Sequence, residues 1–331
     1  MSSCQAETLS LSREFVKSNW LGVRTSCDSV PPEAQMIGDV LLLALILEAS
    51  CAPAPGLVDV DSPGAHDDMD HAKLVRSAGA IAPSFVAMAE AGMRHVGPVC
   101  ELLEKVRSIG LEAEARMYQA TGGINTHKGA IFSLGLIAAS AGYVLTRRQR
   151  LDRFKVTEGV KAITRGIVER DLLGLSRSKA GPGHLSHGER IYMTHGLTGA
   201  RGEAELGFPT VVGHGLPALE KALKCGLSLN DAMVHSLISI MAYLDDTCVV
   251  HRSSLETLEQ EVKPRARMAL AKGGMFTGDG RKSILLMDKE FVSLGISPGG
   301  SGDLLGVTLA LHFLPYLELP FLTREAGTSS G

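Results

Sequence analysis

From Gly129 to Thr146 the chain runs for 18 residues without a charged side chain. About 18–20 apolar residues suffice to cross a bilayer as a helix. Such a stretch therefore either spans a membrane or needs a body large enough to bury it on most sides. Ser133, Gly135, Ser140 and Gly142 lie within it, and this moderate apolar character fits a core helix. The run Val40 to Leu47, closed by Asp39 and Glu48, is too short to span. The chain can supply the burial. Its 331 residues are 45% hydrophobic and 21% charged, which excludes a disordered or fibrous polymer. A body of that size buries roughly three-quarters of its unfolded surface. No membrane partner is expected.

Aromatic residues are only 5%, and Ala, Leu, Met, Glu and Lys fill the periodic segments, which favours helix over sheet. The clearest helix follows Asn230, read as its N-cap, with Met233, Val234, Leu237, Ile238, Met241 and Leu244 at three-four spacing. Further helices are expected over Ala34–Cys51, His71–His95, Val99–Ala120, His127–Leu145, Phe154–Leu173, Leu216–Lys224, Leu255–Ala271 and Asp303–Leu314. Alternating strand patterns of useful length are absent. The expectation is an all-α protein with one large multi-helix domain over 34–324, a weakly structured lead-in over 1–33 and a frayed tail over 325–331.

Net charge is −3, from 33 basic and 36 acidic residues, which argues against a nucleic-acid partner. The six cysteines contain no CxxC pair, so neither a zinc ribbon nor a dense disulfide framework is expected. A reduced cytoplasmic setting suits them. The N-terminus shows no basic stretch followed by an apolar core, so no signal peptide is read.

Glycine stands at 37 residues, above the average of about 7%. Its clusters also carry Asp, Glu, Arg, Lys, His or Asn, so a polar site built from Gly-rich interhelix loops is expected. Five segments stand out. Gly56 to Asp70 holds Asp59, Asp61, Asp67, Asp68 and Asp70, with no Lys or Arg between Arg24 and Lys73. Hard oxygen ligands of this kind suit Mg²⁺, while one acid alone would serve to cap the next helix. Thr121 to Ile131 places Gly122, Gly123 and Lys128 before the uncharged helix, where free N–H groups bind phosphate. Asn125 or Thr126 there is equally an N-cap.

Gly199 to Thr210 carries Arg201, Glu203 and Glu205. The two glutamates share a face only if the segment is extended. Met241 to Arg252 puts Asp245 and Asp246 at the C-terminal end of a helix, against its dipole, where a bound cation would relieve them. His251 and Arg252 follow as anion partners. Ser297 to Leu305 offers Gly299, Gly300 and Ser301 for close ligand approach, with Ser301 or Asp303 also suited to capping.

These blocks resemble the triphosphoribosyl-dephospho-CoA synthase family, specifically its malonate decarboxylase-associated branch. The resemblance runs from about Ile37 to Leu314. It rests on Pro55–Asp59, Gly64–Asp70, Gly123–Ile131, Gly199–Pro209, Leu244–Arg252 and Ser297–Leu305 in order. Ala54 stands where the family usually has Lys, Ser253-Ser254 where Gly-Gly is common, and Gly302 where Ala is usual. The first change removes a phosphate-binding charge.

The resemblance implies transfer of the triphosphoribosyl group of ATP to the 2′-hydroxyl of 3′-dephospho-CoA, with release of adenine. The product is the precursor of the decarboxylase acyl carrier protein's prosthetic group. Breaking the bond at C1′ builds positive charge that carboxylates stabilise, and both the hydroxyl and the adenine need proton transfer. The roles expected are Asp67, Asp70, Asp245 and Asp246 on Mg²⁺–triphosphate, and Glu203 or Glu205 as base or ribose partner. Asn125, His127, Lys128, Arg201, His251, Arg252, Gly299, Gly300 and Ser301 are expected on substrate. A homodimer is carried as an expectation.

Three other readings remain open at this point. An isoprenoid-synthase-like enzyme would use its aspartates on Mg²⁺–diphosphate. A nucleotide-binding assembly factor would bind ATP without turnover, and a hydrolase would place water where the hydroxyl attacks.

Overall fold

The computed structural model describes residues 30–147, 150–172 and 185–317. The lead-in up to residue 29 and the tail over 325–331 lie outside them. Among the described residues every regular element is helical, so the all-α expectation holds.

Local chemistry sets most boundaries. Helix α1 (Pro32–Ala49) opens with proline at its first position, where the missing N–H costs nothing. Helix α2 (His71–Arg94) is capped by Asp70, whose carboxylate accepts from the Lys73 N–H. A single 3₁₀ turn leads into α3 (Leu102–Thr121), which stops at Gly122 in the left-handed region, φ 71°. The uncharged segment is α4 (Lys128–Leu145), and 78% of its residues are buried. It is a core helix. Gly92 of α2 and Gly142 of α4 let the two backbones touch, because a methyl group on either would overlap a carbonyl oxygen of the other helix.

The helix expected from Phe154 is split into α5 (Arg153–Thr164) and α6 (Ile167–Asp171) by Gly166, φ 73°. Two short helices that the sequence does not announce follow: α7 (His187–His195) and α8 (Gly199–Glu205). Helix α9 (Leu216–Lys224) has the expected ends. Helix α10 (Leu229–Met241) starts earlier than expected because Ser228, not Asn230, caps it. Asn230 instead bonds both backbone groups of Ala52, at 3.1 and 2.6 Å. The short α11 (Thr247–Arg252) and α12 (Leu255–Thr257) lead through a π-turn into α13 (Lys263–Ala271). Helix α14 (Gly278–Leu294) was not expected, since few of its side chains are buried and its apolar pattern is weak. Helix α15 (Gly299–Phe313) begins four residues before Asp303.

Helix α2 packs against α1, α3 and α4, and α10 packs against α9 and α13. Helix α15 lies against α1 and α4 on one side and α10 on the other, so the last described long helix joins both groups. Both α4 and α15 are buried along most of their length, and their N-termini open on one large cleft.

Candidate active site

Segments from several parts of the chain line a cleft of about 1150 Å³. They come from the end of α1, residues 57–69, α2, α3, the start of α4, Asp171, residues 186–203, and the 244–252 and 297–304 segments. Of the residues expected at a site, Asn125, His127, Lys128, Arg201, Glu203, Asp245, Asp246, His251, Arg252, Gly299 and Gly300 line it. Asp67, Asp70, Glu205 and Ser301 do not.

The loop before α2 is folded by its own acids. Buried Asp59 accepts the N–H groups of Ala54 (3.1 Å), Asp61 (2.8 Å) and Ser62 (2.9 Å). His66 Nε2 meets Ser297 Oγ at 2.8 Å, and Arg252 Nη2 donates to the Ala65 carbonyl at 2.9 Å, which pins the loop to the far wall. Asp70 is the cap of α2, and Asp67 is exposed outside the lining. Asp68, not Asp67, reaches the cleft.

The other aspartate pair is also corrected. Asp245 is met by Lys263 Nζ at 2.5 Å, so a protein cation offsets the unfavourable helix end. Asp246 is 1% exposed and accepts from Cys248 N (2.9 Å), Gly300 N (3.2 Å), Ser301 N (2.8 Å) and Ser301 Oγ (2.9 Å). It ties the start of α11 to the start of α15, and Ser301 is buried as its partner. Four accepted bonds leave Asp246 little capacity for a metal. Among the described residues no three His, Cys, Asp or Glu side chains form a metal-holding group. The expected four-aspartate set does not assemble.

Because α8 is helical, Glu203 and Glu205 point apart. Glu203 faces the cleft and accepts from Thr210 Oγ (2.6 Å) and Thr210 N (3.3 Å). Burial raises its pKa, against the Thr210 bonds, and the charge of Asp245 raises it further. Glu205 accepts from the N–H groups of Gly166 (2.5 Å) and Val168 (3.3 Å) and caps α6. It serves the fold and not the cleft.

The basic groups are partly occupied. Lys128 pairs with Glu114 at 2.8 Å, and Arg201 lies 3.5 Å from Asp171 and 3.9 Å from Glu189. Asn125 accepts from the Lys128 N–H at 3.2 Å. His251 stacks on His187 with ring centroids 3.6 Å apart. Burial, then His187, Arg190 and Arg252, lower its pKa.

His127 is 3% exposed. Its Nδ1 meets Ser77 Oγ at 2.8 Å, and Ser77 in turn meets Thr126 Oγ at 2.7 Å. Among the described residues its Nε2 has no partner, and burial pushes its pKa down to about 4, so the ring is neutral at neutral pH. A buried polar atom left in this way costs about 1–3 kcal/mol, which a ligand can recover.

Two carboxyls missed by sequence reading complete the floor. Glu48 ends the apolar run of α1, and burial raises its pKa to about 7. Asp303, in the second turn of α15, accepts the Ala130 N–H at the start of α4. Burial, then Glu48 and Asp246, raise its pKa well above the carboxylate range. The start of α4, expected to receive phosphate, thus already receives a carboxyl. The one sequence signal for both was a lone acid in a segment otherwise destined for burial.

The ATP:dephospho-CoA triphosphoribosyl transferase family model matches residues 34–320. The chain is 37% identical to the probable 2-(5''-triphosphoribosyl)-3'-dephosphocoenzyme-A synthase of Malonomonas rubra, over 86% of this chain and 90% of that protein. It is 40% identical to the probable synthase of the same name from Photobacterium profundum, over 84% and 87%. It is 39% identical to the 2-(5''-triphosphoribosyl)-3'-dephosphocoenzyme-A synthase of Pectobacterium atrosepticum, over 82% and 87%. No solved structure matches.

Proposed function

The chain belongs to the ATP:dephospho-CoA triphosphoribosyl transferase family, and from that premise we propose that its cleft moves the triphosphoribosyl group of ATP onto the 2′-hydroxyl of 3′-dephospho-CoA and releases adenine. The observation that carries this reading is the cleft's division into carboxyls without basic partners and a basic rim. Glu48, Asp303 and Glu203 face a space also lined by Lys128, Arg201, His251 and Arg252. Substitution at C1′ passes through a ribose bearing positive charge, which the ionised carboxylate of the acid side, Glu203, stabilises. The triphosphate is retained, so the basic side needs only to hold it.

Glu203 is the base in this reading. Its two Thr210 bonds favour the ionised form, and it faces the cleft where the hydroxyl would arrive. Mg²⁺ enters with the triphosphate, since it takes one or two protein carboxylates and fills its shell with phosphate and water. Of the cleft's acids, Asp68 and Asp245 are exposed and would supply such oxygens, Asp245 through the oxygen that Lys263 does not hold. The ion's contribution is to neutralise phosphate charge.

The link to the acyl carrier protein of malonate decarboxylase rests on the six sequence blocks. A homodimer in a reduced cytoplasm is part of the same proposal, and sizing chromatography tests the dimer. The isoprenoid-synthase reading loses its support, because Asp70 and Asp246 are spent as caps.

Incubation with ATP, Mg²⁺ and dephospho-CoA, followed by mass spectrometry, is expected to give the triphosphoribosylated product and free adenine. ATP binding without adenine release would favour the assembly-factor reading, and adenine formed without dephospho-CoA would favour hydrolysis. Glu203→Gln is expected to lower adenine release about 10²–10⁴-fold with ATP binding retained. An undiminished rate removes Glu203 from the chemistry.

A further inference from the structure

The reaction proposed above needs a proton at the purine as well as a base at the hydroxyl, and the cleft contains two differently equipped glutamates. Glu203 accepts two hydrogen bonds, which favour its ionised form. Glu48 lines the same cleft, and among the described residues its carboxyl makes no hydrogen bond or ion pair. It sits where the C-terminal end of α1 meets the start of α15. A methyl group on Gly302 would lie 2.7 Å from Glu48 Oε1, so the carboxyl is packed tightly against that backbone.

The charged and titratable groups around Glu48 are acidic or thiol. Asp303 of α15 senses the charges of both Glu48 and Asp246, while Cys51, just past α1, senses both Glu48 and Asp59. A second observation points to a ligand at this end. The unpartnered Nε2 of buried His127 belongs to the same cleft wall, beside Gly129 against which Asp303 lies.

We infer that Glu48 is the acid that protonates adenine as it leaves C1′, a role that rests on the transfer reading above. In the step, the C1′–N9 electron pair goes to the purine and the Glu48 carboxyl proton ends on a purine nitrogen. The 2′-hydroxyl oxygen bonds to C1′ and its proton passes to Glu203. Proton exchange with water then returns Glu48 to the acid and Glu203 to the carboxylate. His127 Nε2 supplies a fixed, neutral contact to the bound nucleotide at this end. Burial raises the Glu48 pKa to about 7, so a substantial share of the carboxyl carries its proton at neutral pH.

The test compares wild type and Glu48→Gln in adenine release. Glu48→Gln is expected to lose at least about 100-fold in kcat, with the Kd for Mg–ATP, measured by calorimetry, within threefold of wild type. The retained affinity also reports that the variant is folded. Wild-type kcat is expected to fall as pH rises through about 7, and the residual activity of the variant to lack that limb. N7-methylated ATP, whose base departs neutral without a proton, is expected to reduce the variant's deficit at least tenfold. Wild type that forms product while Glu48→Gln stays within threefold overturns this role alone, as does an equal deficit with the methylated substrate. Wild type that releases no adenine overturns the transfer reading, and this role with it.

Discussion

Asp70 and Asp246 show what a residue list leaves open. Each lies in an acid-rich motif, and each is spent on backbone N–H groups at a helix start. Asp68 and Asp245, their close neighbours, keep exposed oxygens on the cleft. Which acid of a cluster is structural depends on where the helix begins, to within one residue, and composition cannot give that. His127 was legible as a site residue but its state was not, because that depends on burial and on Ser77, 50 residues away in the chain. Its neutral ring carries a prediction. The folded pKa of about 4 lies below the ordinary 6.5, so the unfolded chain binds a proton that the fold refuses. Stability is therefore complete above about 6.5 and lost as pH falls toward 4, by on the order of 3 kcal/mol. Urea unfolding of His127→Gln is expected to lack this loss. A variant with the same acid dependence as wild type shows that other groups cause it.

At the scale of elements, the helix ends explain why the glycine-rich patches were read as loops. Gly199–Glu205 and Gly299–Phe313 are helices that begin with glycines; Gly199 takes the left-handed region, φ 53°, whereas Gly300 is there for space. A methyl group on Gly300 would lie 2.8 Å from Asp246 Oδ1, and one on Gly129 would overlap the Asp303 carboxyl. The long buried helices were legible from periodicity, whereas the α7 and α8 segments lack enough turns to show a period. Gly129→Ala separates the two effects. Alanine gains about 1 kcal/mol in helix propensity. Overpacking a site that cannot yield costs typically about 1–3 kcal/mol. Asp303 is half-buried and held by the Ala130 N–H, so the clash is expected to win. Chemical denaturation should show a net loss of about 1–2 kcal/mol. A stabilised variant would mean that Asp303 moves freely.

At the scale of the molecule, α15 holds the cleft's two sides to one another. It packs on α1 and α4 with one face and on α10 with the other, yet it forms from the last part of the described chain. Its Leu304, Leu305, Val307, Leu309 and Leu311 are each at most 3% exposed. Full burial of such a side chain is worth about 1.5–3 kcal/mol. Five together approach the whole net stability of about 5–15 kcal/mol that a domain retains. Neither group can therefore keep its fold once α15 is missing, because α1 and α4 would expose one apolar flank and α10 another. A chain ended at Ser297 is expected to lose cooperative thermal unfolding, and Leu309→Ala in the full chain to lose about 2–5 kcal/mol. Leu286→Ala on α14, where the side chain is 57% exposed, is expected to stay within about 0.5 kcal/mol of wild type. A truncated chain that still unfolds in one sharp transition would show that one group is a domain in its own right, with α15 merely leaning on it.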